Sequence, residues 1–442
     1  MHLRNYRSLR PKRMPIPVVI GSGLTGLSIS HELSRAAIDH LVIGRRPDMS
    51  PRLGESLNLE GTLLLWEMYP QLSRFFFRKR DALGYFGDYE VLCDFQVAES
   101  AVSRTIFRSL GFTPATEFIQ VDRIGFDAAL WDLATSSEHC TVLDTTVADL
   151  EFDEASDRFT SVRLADGTVL RPSYIFDATN HGRLLGQRAK IGYRTLGEPQ
   201  RVAYTHFHRA PRASRAAEPW ELATAVVRLF PESDGIDAVA WCIPLGDYVS
   251  VGVSASATET ALDDETLMER TALAFARYGV DFRRRFSNRV ELKALNHSYF
   301  AYDRAAGTNW MLAGPSYCQV WWLAGAGVGT ALTAARLAPK LLQDPHRWGA
   351  EYDRYMQQLL PIHETFDYFA LTPRERYEPR GLHHFADRFV VTNLVRLAGS
   401  TRLRHSRLAT MVSPAIGWLF RQPAAIHEYC SVKHVDQPAL SA

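Results

Sequence analysis

The 442-residue chain contains no uninterrupted apolar run approaching the ~20 residues that a membrane-spanning helix needs. Its first segment, Met1 to Arg13, is basic but lacks the apolar stretch of a secretory leader, so a cytoplasmic location is expected. Cysteine is scarce: the five, at positions 93, 140, 242, 318 and 430, form no C-x-x-C and have no histidine-rich companions. That spacing points away from a zinc site and from a disulfide framework, and no metal is expected. A strong excess of either charge is also missing. With a net charge of +1, nothing global argues for nucleic acid or a membrane surface as partner. Internal repeats and low-complexity tracts are absent. What is present suits a soluble globular protein of two or three domains, with 46% hydrophobic and 22% charged residues.

One motif stands out against this background. Ile16 to Ile20 reads as a buried strand running into Gly21-Ser22-Gly23-Leu24-Thr25-Gly26, after which Leu27 to Leu33 has helical apolar spacing. A G-x-G-x-x-G turn in this strand–turn–helix setting is built to receive a pyrophosphate, which makes a dinucleotide-binding flavoprotein the first expectation. The first two glycines permit the tight turn and close backbone approach, and Gly26 lets the helix pack on the strand. The helix N-terminus then offers unsatisfied N–H groups to phosphate. The second strand, Leu41-Val42-Ile43, ends in Gly44-Arg45-Arg46, where such units carry an acid for a ribose hydroxyl. Arg45 and Arg46 either grip the adenosine half of FAD in a different way or accept the 2′-phosphate of NADP.

Val142 to Phe152 and Phe159 to Leu170 read as paired strands, and Tyr174 to Asn180 as a buried strand returning to the nucleotide unit. Alternating segments between Gln200 and Val253, notably Ala238 to Pro244 and Tyr248 to Val253, predict an antiparallel sheet for substrate binding. Asp264 to Tyr278 predicts a helix, and from Tyr352 onward the pattern is mostly helical. The expected fold class is α/β (α+β). A discontinuous Rossmann-like domain takes residues 14–65, 120–190 and 290–345, a substrate domain takes 66–119 and 191–289, and a helical region takes 346–442.

Further segments follow in order. Gly54-Glu55-Ser56-Leu57 comes after the second strand, and Val121-Asp122-Arg123 is followed by Phe126-Asp127 and Leu130. Asp177-Ala178-Thr179 ends the returning strand, and Ala203 to Phe207 lies in the expected sheet. Asn309 to Gly314 leads to Gly325-Ala326-Gly327-Val328-Gly329. Across residues 16 to 345 this ordered set resembles the flavin-dependent halogenases and the related single-component aromatic monooxygenases. The resemblance implies an FAD-binding domain of that type. It places FAD contacts at the G-x-G-x-x-G turn, Ser56, Arg123, Val147, Gly314, Gly327, Val328 and Gly329. It also implies a monooxygenase in which a C4a-hydroperoxyflavin hydroxylates an aromatic ring. With no second G-x-G-x-x-G, electrons are expected from a transient NAD(P)H or a separate flavin reductase.

The departures from the family carry equal information. Its G-D pair is Gly314-Pro315 here, its D-P pair is replaced within Val320-Trp321-Trp322, and the halogenase G-W-x-W-x-I-P survives only as Ala238 to Pro244. With the missing ribose acid, two charged contacts to FAD are lost; at ~1.5–3 kcal/mol each, weak FAD retention is expected. His206, Glu55 and Asp177 are candidates for proton handling, His206 being as readily a structural histidine. Lys79, within Arg78-Lys79-Arg80, lies near the interval at which halogenases place a lysine that relays hypohalous acid; the alternative for a basic run is a solvated face. Trp241, Trp321 and Trp322 are candidates to stack on flavin or substrate, or to pack in the core. A flavin-dependent halogenase and a non-catalytic flavin-binding accessory protein therefore stand beside the monooxygenase reading.

From Arg388 to His427 there is no acidic residue, while Arg388, Arg396, Arg402, Arg404, Arg407 and Arg421 are spread among helical apolar positions. These arginines pair with acids of other segments, form a docking face for an acidic partner such as a polypeptide substrate, or, as a third reading, make an amphipathic membrane contact. That stretch and the altered halogenase motif together resemble one branch of the superfamily. Its members dihydroxylate a tryptophan within a polypeptide during tryptophylquinone biogenesis, as in quinohemoprotein amine dehydrogenase maturation. The resemblance implies an indole ring as the group attacked.

Overall fold

The wholly buried run Val18–Ile20 forms the middle strand of a five-stranded parallel sheet. Its order is Trp310–Leu312, Ile175–Asp177, Val18–Ile20, His40–Ile43, Cys140–Leu143, and every neighbouring pair is parallel. The structure, a computed structural model, describes residues 15–94, 118–211, 213–214, 216–257, 262–404 and 430–435. A parallel sheet is covered on both faces, which is why these strands read as short unbroken apolar runs. The second and third strands in chain order lie on one side of the first and the later two on the other. The carboxyl ends at that reversal form the crevice where such sheets bind ligands.

The stretch expected as one strand from Val142 divides in two. Cys140–Leu143 joins the parallel sheet, and Val147–Asp153 pairs instead with Arg158–Leu164 in a small antiparallel sheet. The residues between them turn the chain from one sheet to the other.

A second, nine-stranded sheet carries the alternating segments. Along it run Phe286–Arg289, Gln200–Arg209, Tyr248–Ser256, Ala238–Pro244, Ala223–Leu229, Asp81–Phe86, Tyr89–Asp94 and Cys430–His434, with Lys293–His297 also on Gln200–Arg209. It is antiparallel except at one seam, where Ala223–Leu229 runs parallel to Asp81–Phe86. Every residue of Ala238–Pro244 is buried, and the period of two sorts them. Ala203, Ala240 and Cys242 join a core with Phe275 of helix Asp264–Arg277. Val202, Tyr204, Trp241 and Ile243 pack on the other face with Leu53 and Trp322. Cys430–His434, in a region expected to be helical, adds an edge strand because the Tyr89–Asp94 ladder is open on that side.

Helix Ala326–Gln343 packs against helices Leu24–Arg35, Leu59–Met68 and Pro345–Gln357. Helix Pro379–Arg404 is fastened to this group by a buried charge pair, Arg396 Nη2 donating to Glu60 Oε2 at 2.9 Å, with both residues almost fully enclosed. Thr333 Oγ1 donates to Glu60 Oε1 at 2.9 Å, and Tyr355 Oη donates to the same oxygen while accepting from Arg396 at 2.7 Å. Arg396 is thus an interior residue, whereas Arg388 on the same helix is exposed. Arg402 and Arg404 belong to the helix backbone, and Arg407 and Arg421 lie outside the described residues. Among the described residues no helix is long and apolar enough to cross a membrane, and no cluster of metal-ligating side chains occurs.

Removing one partner of a buried pair leaves an uncompensated charge, so Arg396→Ala is expected to cost about 3–5 kcal/mol in urea unfolding. Arg388→Ala should stay within ~0.5 kcal/mol of the parent. Equal, small effects of the two substitutions would contradict this account.

Candidate active site

The nucleotide end is built from three backbones in contact. Gly21 has φ +110°, and a Cβ there would lie 2.5 Å from the Ala178 carbonyl oxygen; one on Gly26 would lie 1.9 Å from the Gly21 carbonyl oxygen. Gly23, the N-cap of helix Leu24–Arg35, is different. No side chain caps that helix, and nothing lies within 4 Å of where a Cβ would be. Its first-turn N–H groups are therefore open to an anion. Leu24, Thr25 and Gly26 are buried behind the turn. Ser22 Oγ donates to the Arg45 carbonyl at 2.5 Å, tying the turn to the end of the second strand.

Arg45 and Arg46 do project at that strand end, but each meets an acid. Arg45 lies 3.4 Å from Asp144 and Arg46 lies 3.0 Å from Asp132, with all four side chains largely exposed. Exposed pairs of this kind are worth ~0–1 kcal/mol, so either guanidinium can be drawn away by a ligand. Val147 heads a strand of the small antiparallel sheet, opposite Leu164.

A second open helix N-terminus belongs to Ala326–Gln343. Its N-cap, Gly325, has φ +57° and offers no side-chain cap, and a Cβ on exposed Gly327 would meet only Pro315 Cγ, at 3.9 Å. Val328 is buried against Gly54, and Gly329 packs on Glu60. Gly314, at φ +55°, donates its N–H to Tyr352 Oη at 2.8 Å. Arg123 forms a two-pronged pair with Asp127, both bonds 3.0 Å, and reaches the Leu53 carbonyl at 2.9 Å. Arg123 therefore supports the Gly54 turn, where a Cβ would sit 2.7 Å from its guanidinium.

The catalytic candidates converge on residues 55–57. Glu55 Oε1 lies 2.8 Å from His206 Nε2, both side chains almost fully buried. The Tyr248 ring covers His206 at 4.6 Å and its hydroxyl donates to Asp122 at 2.8 Å. Lys79 is not on a solvated face. Its Nζ donates to Ser56 Oγ at 3.0 Å and to the Leu57 carbonyl at 3.2 Å, and Ser56 Oγ in turn meets Thr224 Oγ1 at 2.8 Å. Burial pulls the Lys79 ammonium down to about 8, with the nearby Cys93 sulfur opposing it. The basic run misleads because its members differ in burial: Arg78 is exposed and Arg80 half-buried, while Lys79 between them is buried. Asp177 stands apart, accepting from Thr179 N, Thr179 Oγ1 and Leu185 N at 3.0, 2.6 and 2.8 Å. Burial raises its carboxyl above the usual range against these bonds, and its place is that of an anchor.

Trp241 and Trp322 meet with ring centroids 4.4 Å apart on the inner face of the large sheet. Trp241 packs closely on Gly252 of the adjacent strand, where a Cβ would be 2.2 Å from its ring. The Trp322 indole N–H is buried without a hydrogen-bond partner. Trp321 faces elsewhere, stacked near Tyr299 and His363, with its indole N–H on Asp367 at 2.6 Å. Tyr248, Thr224 and Gln120, whose amide donates to Thr224 Oγ1 at 3.1 Å, complete the site without having been singled out by sequence, and Asp122 had appeared only as a member of the Val121-Asp122-Arg123 segment. Only the alternation that puts Tyr248 on the face of Trp241 could have pointed to one of them.

This arrangement, a parallel nucleotide sheet joined to a large sheet with an aromatic inner face, is the fold of flavin-dependent halogenases and FAD-dependent monooxygenases. Two solved structures with it are the flavin-dependent brominase Bmp2 and the Pseudomonas aeruginosa protein PqsL in complex with 2-aminobenzoylacetate. Bmp2 is 16% identical with a TM-score of 0.64 over 92% of this chain and 99% of that one. PqsL is 16% identical with a TM-score of 0.60 over 90% and 99%. In sequence, an FAD-dependent monooxygenase, nvfK of Aspergillus novofumigatus, is 34% identical over 77 residues, 17% of this chain. The match spans 14% of that relative's length. No protein-family model matches the chain.

If Lys79 is enclosed as described, NMR of the reductively ¹³C-methylated protein should show one lysine titrating near pH 8. It should be lost in Lys79→Ala. Titration of every lysine near the ordinary ~10.4 would refute the burial.

Proposed function

We propose that this chain is an FAD-dependent monooxygenase that hydroxylates an indole ring, carried by a tryptophan of a partner polypeptide during tryptophylquinone biogenesis. The observation that carries the aromatic-hydroxylase reading is the Trp241–Trp322 wall on the same inner face as the buried Glu55–His206 pair. The residues fit an FAD at two places. Open, uncapped helix N-termini at Gly23 and at Gly325–Gly327 suit the pyrophosphate and the flavin end. Bound FAD would supply the redox chemistry with dioxygen, its electrons coming from NAD(P)H or a separate reductase.

The protein's own tasks follow from its side chains. Trp241 and Trp322 offer flat apolar surface for stacking an aromatic substrate, with Tyr204 and Leu53 beside them to exclude water. The Glu55–His206 pair offers a proton acceptor held in one orientation by Tyr248. The polypeptide substrate rests on the branch resemblance and on the acid-free stretch from 388 to 427, of which Arg388 is exposed. A specific observation favours a second reading, halogenation: the enclosed Lys79, bonded to Ser56, is a lysine with a pKa of about 8 beside the same segment.

Two grips on FAD are poorly provided, since Arg45 and Arg46 stand in place of an acid at the adenosine end and Pro315 stands in place of a carboxylate that bonds the ribityl chain in the family this sequence resembles. Purified protein should therefore lose FAD on gel filtration, with absorbance at the flavin bands well below one equivalent. Full occupancy after that step would overturn the weak grip.

Mass spectrometry of tryptophan substrates, free and within a candidate partner polypeptide, distinguishes the readings. Incubation with reduced FAD and dioxygen should add oxygen masses to the polypeptide alone, with or without chloride. Chlorine-isotope doublets that vanish in Lys79→Ala would establish the halogenase instead. No product of either kind with any substrate would leave a flavin-binding accessory protein.

A further inference from the structure

Cys93 and Cys430 are directly opposed in the antiparallel ladder between strands Tyr89–Asp94 and Cys430–His434. Opposed residues project to the same face, and both side chains are buried in one apolar cluster, neither of them in a disulfide. Such a pair has Cα atoms ~4.5–5.5 Å apart, inside the ~4.4–6.8 Å window of disulfides. The other three cysteines have no counterpart of this kind: Cys140 faces His40, Cys242 faces Ala225 and Val251, and Cys318 faces Ala301. Among the described residues, strand Cys430–His434 is also an edge strand with a single ladder, whereas the interior strands of the sheet have two.

We propose that Cys93 and Cys430 form a reversible cross-strand disulfide, a covalent latch that holds this C-terminal strand to the large sheet. The oxidant is a peroxide. The thiolate of one cysteine attacks a peroxide oxygen, the O–O bond breaks, and a sulfenic acid and one water result once the departing hydroxide takes a proton. The second thiolate attacks the sulfenic sulfur, the S–S bond forms, the S–O bond breaks, and a second water leaves. Two thiols are oxidised by two electrons while one hydrogen peroxide becomes two waters. Burial raises the thiols of Cys140, Cys242 and Cys318 and keeps them protonated. The latch is independent of the flavin reading, because it needs only the two strands and a peroxide.

The test treats the full-length chain with a few equivalents of hydrogen peroxide, blocks remaining thiols with iodoacetamide, and maps peptides without reduction. A linked peptide joining Cys93 to Cys430, lighter by two hydrogens and released by dithiothreitol, is expected in most of the protein. It should be absent from Cys93→Ser and Cys430→Ser. The proposal fails if both cysteines are recovered alkylated after peroxide, or if either is found linked to Cys140, Cys242 or Cys318. Because the wild-type map decides the outcome, a misfolding serine variant does not blunt the test.

Discussion

The molecule is organised by a contact that leaves no room for a methyl group. Gly26 of the first helix rests on the Gly21 carbonyl, and Gly21 rests on the Ala178 carbonyl at the end of the neighbouring strand. Helix, turn and returning strand are thereby packed directly against one another. The helix N-terminus can point only along the carboxyl edge of the parallel sheet, with Gly23 standing clear of everything else. A side chain at Gly21 or Gly26 would push the helix off the sheet and swing its free N–H groups away from the crevice. The strand that ends at Asp177 is fixed by the same contact, and with it the anchor that Asp177 makes to Leu185.

A second constraint sits in residues 54–60, which serve every part of the molecule at once. Glu55 reaches the large sheet through His206, and Ser56 reaches it through Thr224 while accepting from Lys79. Gly325 closes on the backbone of residues 56–58, and Glu60 binds Arg396 of the last described helix. Most of these groups are polar and enclosed, and an enclosed polar group is tolerated only when it has partners. The network therefore demands that nucleotide sheet, large sheet and helical region be assembled together. It also gives the helical region a direct line to the helix that carries Gly325–Gly329.

Local patterns in the chain announced much of the fold. The G-x-G-x-x-G turn lay between a strand and a helix as its glycines require, and the alternation in Ala238–Pro244 and Tyr248–Ser256 marked adjacent strands. The helix expected from Asp264 appears as Asp264–Arg277, capped by Asp263. Less could be read where a residue's surroundings come from distant segments. Lys79 sits in a run of three basic residues, and nothing nearby reveals that one of them is buried and bonded to Ser56 and the Leu57 carbonyl. Arg396 looked like one of several arginines in an acid-free stretch, because its acid, Glu60, is far away along the chain. The strand Cys430–His434 is too short to be told from its helical surroundings by periodicity, and only the open ladder beside it makes it a strand.

The sequence by itself determined which segments become strands and helices, where the phosphate-binding turn falls, and which faces of the large sheet turn inward. Those properties rest on period, on glycine's freedom and on apolar patterning, all local. The tertiary structure alone decided which charged groups are buried, which tryptophans face one another, and which thiols are opposed. Trp241 and Trp322 are brought together, Trp321 is turned away toward Asp367, and Lys79 is drawn inside because the low-dielectric space around each is made by segments the chain brings in from far away. Charge, stacking and burial depend on those neighbours, and no short stretch of sequence contains them.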